Sequence, residues 1–173
     1  MKKENRKKIL KLINPETHEF SWNEEGVPYN FKEKKKISQG KLSRARGARF
    51  ELKVRKDLEE KGKVVDKWSN NVDLENGKLI PAKRKYNPFS KVMTIGTGFP
   101  DFVTFAEVRD GMYRVVGVEV KLNGILSKEE KEKCRWYLEK RIFSEIWIAK
   151  QKQSGRKVEV EYENFVERYP NKA

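Results

Sequence analysis

The alternation of hydrophobic periods along the chain predicts an α/β fold built on a mixed β-sheet flanked by helices, preceded by a basic N-terminal extension. Three observations carry that expectation. A helix-period segment precedes the strands, two strands of period two meet at an Asp-Gly turn, and a second helix-period segment separates the later strand from an apolar run, Glu145-Ile-Trp-Ile-Ala-Lys-Gln151. A strand, a helix and another strand in that order imply a crossover and hence a parallel pair.

Residues 1–43 open with a basic helix candidate, Lys2 to Ile13, and close on the cluster KEKKKISQGK. They read as an extension of patchy order beside a domain spanning 44–173. Trp22, Tyr29 and Phe31 alternate with charge in the extension, where they either stack on bases or pin the arm to the domain. In RGARFELKVRKDLEEKGK, Phe50, Val54 and Leu58 fall on one helical stripe and Gly62 ends it. VVDKWS then reads as a strand. The segment from Asn70 to Gly98 reads as long and irregular, with an Asn76-Gly77 turn signal, Pro81, Pro88 and the basic run AKRKY. PDFVTFAEVRDGMYRVVGVEVKL predicts a β-hairpin turning at Asp110-Gly111. SKEEKEKCRWYLEKRIF predicts a helix with Ser127 as N-cap, Glu130 in the capping-box position, and Cys134, Tyr137, Leu138 and Ile142 on its apolar face. VEVEYENFVERY supplies a last strand and a terminal helical turn.

Composition narrows the chemistry. The 173 residues carry 40 Lys and Arg against 26 Asp and Glu, a formal charge of +14 spread along nearly the whole chain, so a polyanion is the first partner to consider. No run approaches the roughly 18 to 20 apolar residues of a spanning helix, and the N-terminus lacks the apolar centre of a signal peptide. A soluble, cytoplasmic protein without a membrane partner is expected. One cysteine, Cys134, and one histidine, His18, rule out an internal disulfide and a thiolate zinc site. Any metal therefore has to sit on carboxylates, which suits Mg²⁺ or Mn²⁺.

Two charges stand where an apolar strand is expected. Glu119 and Lys121 interrupt Val115, Val116, Val118, Val120 and Leu122, and burying ions costs several kcal/mol each unless they are paired, hydrogen-bonded or metal-bound. Side chains alternate, so both point to the same face, about 7 Å apart along the strand. Asp101 opens the partner strand after Pro100, and the hairpin can bring it beside Glu119, although the turn leaves the register open. Two carboxylates so placed repel each other, and a divalent cation would resolve that repulsion while polarising a phosphate and acidifying a bound water. Lys121 would orient or deprotonate that water, or neutralise developing charge. The plainer alternative is a solvated Glu-x-Lys pair on a half-exposed strand.

Gly98-Phe99-Pro100-Asp101 followed by Gly117-Val118-Glu119-Val120-Lys121 resembles the PD-(D/E)XK nuclease superfamily, and within it the archaeal Holliday junction resolvase-like and VRR-NUC-like groups. The resemblance covers roughly residues 44–151. It implies a restriction-endonuclease-like fold, hydrolysis of DNA phosphodiesters, with RNA not set aside, and pairing as a homodimer. It also implies Mg²⁺ on Asp101 and Glu119, the Val120 carbonyl as a further ligand, Lys121 at the water, and a glutamate on the preceding helix, which maps onto Glu51. For Glu51 the alternative is an i, i+4 pair with Arg55. The glutamine common on the helix after the lysine strand is missing from SKEEKEKCRWYLEK. Lys83, Arg84, Lys85 and Lys91, just before the Pro-Asp strand, either contact backbone phosphates or line a solvated loop. The rival reading from another class is a non-catalytic nucleic-acid-binding module on the same fold.

Overall fold

The computed structural model describes residues 13–82, 84–87, 92–95, 98–155 and 157–170. The opening helix candidate, apart from Ile13, lies outside the described residues. The chain divides into two compact units, Met1–Ala48 and Arg49–Ala173.

In the first unit, β1 (His18–Trp22) and β2 (Pro28–Glu33) form an antiparallel hairpin. Its turn is tied by Asn23, whose side chain accepts the Val27 N–H at 2.7 Å, with Gly26 at φ 73°. Phe20 packs on Trp22 and Phe31, with ring centroids 5.5 and 5.9 Å apart. Trp22 and Tyr29 nonetheless stay half-exposed or more. Helix α1 runs without a break from Lys34 to Glu60, starting well before the Arg46 that its apolar stripe predicts. The early turns hold strong helix formers, Lys, Arg, Leu and Ala, but bury almost nothing, so no periodic stripe announces them.

The second unit centres on a five-stranded mixed sheet in the order β11–β10–β9–β8–β3, where β3 is Val64–Lys67, β8 Phe102–Arg109, β9 Met112–Val120, β10 Glu145–Ser154 and β11 Lys157–Asn164. Neighbours are antiparallel except β9 and β10, which are parallel and joined through α2 (Lys128–Glu139), the expected crossover. Asp110 (φ 29°) and Gly111 (φ 76°) make the β8–β9 turn, where the glycine takes the left-handed conformation most side chains resist. A one-turn helix α3 (Phe165–Arg168), capped by Asn164, closes the described chain.

Two cores flank the sheet. Phe50, Val54 and Leu58 of α1 bury against Phe102, Val116, Val118 and Ala149 on one side. Cys134 and Tyr137 of α2 pack with Val103, Phe143, Ile146, Ile148 and Phe165 on the other. Each fully buried aliphatic contributes roughly 1.5–3 kcal/mol, which makes these faces the main fixture of the central strands. Cys134 is a core residue, as its place on the α2 stripe predicts.

Between Asn70 and Gly98 the structure corrects the irregular loop of the sequence reading. It forms two short hairpins, β4 (Asn70–Asp73) with β5 (Lys78–Pro81), and β6 (Arg84–Asn87) with β7 (Val92–Ile95). Of β4 and β5 only Val72 is buried, so an in-out alternation never develops. Among the described residues no helix is long and apolar enough to cross a membrane.

Candidate active site

Glycine and proline set the approach of the two central strands. Phe102 pairs with Val118, which places Asp101 alongside Glu119 at the end of the hairpin and closes the register that the turn alone left open. Gly117 faces the Pro100 ring, where an added Cβ would lie 2.9 Å from Pro100 Cγ and 3.1 Å from the Phe143 ring. Gly98 sits tighter still, since a Cβ there would meet the Trp68 and Asn70 backbone oxygens at 2.1 and 2.6 Å. The bare backbone lets Phe99 N–H donate to Asn70 O at 2.8 Å and Trp68 N–H to Asp101 O at 3.2 Å. Gly-Phe-Pro-Asp is therefore a clamp that delivers one carboxylate to the strand end.

Asp101 Oδ2 accepts the Val120 N–H at 2.9 Å. Burial nevertheless pushes its carboxyl up to about 6; the Val120 hydrogen bond opposes this and the Glu51 charge adds to it. Glu119 is only 4% exposed. Burial first, then the neighbouring Asp101 charge, pushes it up to about 8 against the pull of Lys121. Its Oε1 lies 3.0 Å from Lys121 Nζ, while Oε2 is buried and without a hydrogen-bond partner among the described residues.

Lys121 follows the last residue of β9, and its tip bridges two carboxylates, Glu119 and, at 2.6 Å, Glu130 Oε1. Burial alone would lower the ammonium, but Glu119 and Glu130 outweigh it and hold Lys121 above its ordinary value. The site lysine is a firm cation. Glu130 is the functional residue that sequence reasoning missed. Its other oxygen, Oε2, accepts the Ser127 N–H at 2.8 Å, while Ser127 Oγ accepts the Glu130 N–H at 3.3 Å, which completes the predicted capping box. Burial raises the Glu130 carboxyl, but the hydrogen bonds from Lys121 and Ser127 bring it below the usual carboxylate range.

The remaining candidates are placed differently. Glu51, on α1, lies 3.6 Å from Lys67 Nζ and reaches Asp101 through its charge. Arg55 is not its partner, because Arg55 pairs with Glu59 at 2.9 Å. Lys83 and Lys91 lie outside the described residues; Arg84 and Lys85 fall in β6, with side chains that also lie outside them.

Among the described residues no group of three or more His, Cys, Asp or Glu side chains is gathered to hold a metal ion. Two carboxylates are gathered. They form an all-oxygen donor pair with one buried oxygen unpartnered and both acids disfavoured as anions, a set that fits a hard divalent cation whose other positions are filled by water or backbone carbonyl.

Fold and site together define a mixed α/β protein with a carboxylate pair and a cationic lysine on adjacent central strands. Comparison with protein-family models, with curated proteins and with solved structures gives no match to this chain.

Proposed function

We propose that this protein is a metal-dependent nuclease of the PD-(D/E)XK type, hydrolysing phosphodiester bonds in DNA. The observation that carries the reading is Glu119, which is buried in an apolar strand beside a second raised carboxylate, with one oxygen that has no hydrogen-bond partner among the described residues. A structural ion pair gives no reason to leave that oxygen orphaned, since such groups are costly to bury.

Asp101 and Glu119 would hold Mg²⁺ or Mn²⁺, with the Val120 carbonyl as a further donor. A bound ion of this kind polarises the phosphate and lowers the pKa of its water. Glu51 acts on Asp101 by charge in this arrangement, and would reach the ion only through a water molecule. Lys121, kept protonated between Glu119 and Glu130, orients the attacking water and offsets the negative charge that grows on the phosphate oxygens. The carboxylates it bridges, Glu119 and Glu130, favour that cationic role over removal of the water's proton.

The test is incubation with plasmid, linear and branched DNA, and with RNA, in Mg²⁺ or in EDTA. Cleavage should require the metal and fall at least about a hundredfold in Asp101→Asn and Lys121→Ala, the scale of losing one electrostatic partner in a catalytic site. Metal-independent cleavage, or cleavage that survives both substitutions, overturns the assignment. That no third side-chain ligand gathers with this pair among the described residues favours a second reading, a nucleic-acid-binding module without turnover. Tight binding with no cleavage under any metal would establish it.

A further inference from the structure

The first half of α1 carries a charge pattern that the catalytic site does not use. From residue 34 to 48 the helix holds six cations, Lys34, Lys35, Lys36, Lys41, Arg44 and Arg46, and no acidic residue. Lys36, Ile37, Gly40 and Arg44 turn toward the β1–β2 hairpin and line, with Phe31 and Lys32, a cleft of about 640 Å³. At roughly 100° per residue, Lys34, Lys35, Lys41 and Arg46 fall away from that cleft, on the open face of the helix. All four are exposed, and among the described residues none has an ion-pair partner, whereas Lys36 pairs with Glu33 at 3.2 Å. The side chains interspersed with them on this face are Ser38, Leu42 and Ala45, small or neutral throughout.

We infer that this open face of α1 is a docking surface for the phosphate backbone of duplex nucleic acid, so that the proposed nuclease takes duplex substrates. Like charges left unpaired on one helical face repel each other, and a dense polyanion is the partner that turns the repulsion into attraction. A duplex presents one charge per about 1.7 Å of axis, twice the linear density of one strand, and its major groove admits an α-helix. Single-strand binding draws on aromatic platforms, and this face has none. The exposed Trp22 lies instead on the hairpin, next to a turn carrying Glu24 and Glu25, which repel phosphate. An anionic membrane surface wants a broad apolar face opposite its cations, and the opposite side of this stretch has Ile37 as its one large apolar side chain, turned toward the β1–β2 hairpin.

The inference rests on the nuclease reading only in equating the docked duplex with the substrate, so binding is measured without turnover. The full chain carrying Asp101→Asn, in EDTA, is titrated with a labelled duplex and with a single strand of the same sequence across a range of salt. A second protein adds Lys34→Gln, Lys35→Gln, Lys41→Gln and Arg46→Gln. A third carries Arg109→Gln, Lys128→Gln, Lys140→Gln and Lys157→Gln instead, an equal charge loss at exposed sites elsewhere, and circular dichroism confirms the helix content of each. The α1 variant should bind duplex at least tenfold more weakly at low salt, with a log–log salt slope shallower by about three to four, at about 0.9 for each phosphate no longer neutralised. The control variant should lose distinctly less. Equal losses in the two variants, an unchanged slope, or a loss confined to the single strand overturns the inference, as does loss of anionic-vesicle binding with duplex binding intact. Should the parent protein prove unable to cleave DNA, the binding comparison still decides the docking surface by itself.

Discussion

Glu119 is held as an acid whose ionised form the folded chain disfavours, and that has a measurable consequence. Its folded pKa near 8, like that of Asp101 near 6, lies above the value for an unfolded carboxyl. Between the unfolded and folded values the folded state binds more protons than the unfolded one, so stability falls as pH rises through that window. In EDTA, thermal melting should therefore move downward from about pH 5 to pH 8, and Glu119→Gln should flatten the trend while abolishing cleavage. A melting temperature that rises across the same interval would contradict the burial argument. This part of the site was readable from residues alone, because charges inside Val115–Leu122 stand out against apolar neighbours, and the burial of Glu119 removes the alternative of a solvated pair on a half-exposed strand. Glu130 was not readable, since its capping box already accounted for it and nothing in the sequence marks a carboxylate that serves two partners.

The β8–β9 hairpin and the start of α2 are the elements that aim these groups. Gly117→Ala keeps an extended backbone that alanine tolerates, yet pushes a methyl group against Pro100 and Phe143. The crowding should cost about 1–3 kcal/mol in a denaturant melt. It should also slow cleavage about tenfold or more by shifting Asp101. If Gly117→Ala retains both stability and rate, Pro100 is not what places that aspartate. At α2, Ser127→Ala removes one half of the capping box and should cost about 1 kcal/mol. Glu130→Gln can keep the cap but loses the charge facing Lys121, so its defect should appear in kcat with little change in stability. The elements legible in advance were those with a buried face: the Phe50–Leu58 stripe, the central hairpin, α2 and its parallel crossover. The early turns of α1 and the β4–β5 hairpin bury too little for any period to show.

For the molecule as a whole, binding of the proposed ion would be linked to folding. An ion that holds the native carboxylate pair and not the unfolded chain stabilises by mass action, about 2.7 kcal/mol at a hundredfold excess over its Kd. In a chain of this size that is roughly 5 to 10 °C of melting temperature. Mg²⁺ should give such a shift in the native protein and little in Asp101→Asn, and a shift of equal size in both would place the ion elsewhere. The net charge of +14 was plain from composition, whereas the alignment of Lys34, Lys35, Lys41 and Arg46 on one open helical face follows only from α1 beginning at Lys34.

The hairpin from Asp101 to Lys121 has one more implication, which concerns inheritance. Three groups of the proposed chemistry lie within this single uninterrupted stretch, separated by one turn, and the cations of the α1 open face lie well upstream of it. A short coding segment would thus bear the proposed chemistry, while another would bear the surface that engages nucleic acid. On the proposed function, mutation could retune where the protein binds without disturbing the chemistry, and one lesion in the hairpin would silence cleavage while leaving a competent binder behind.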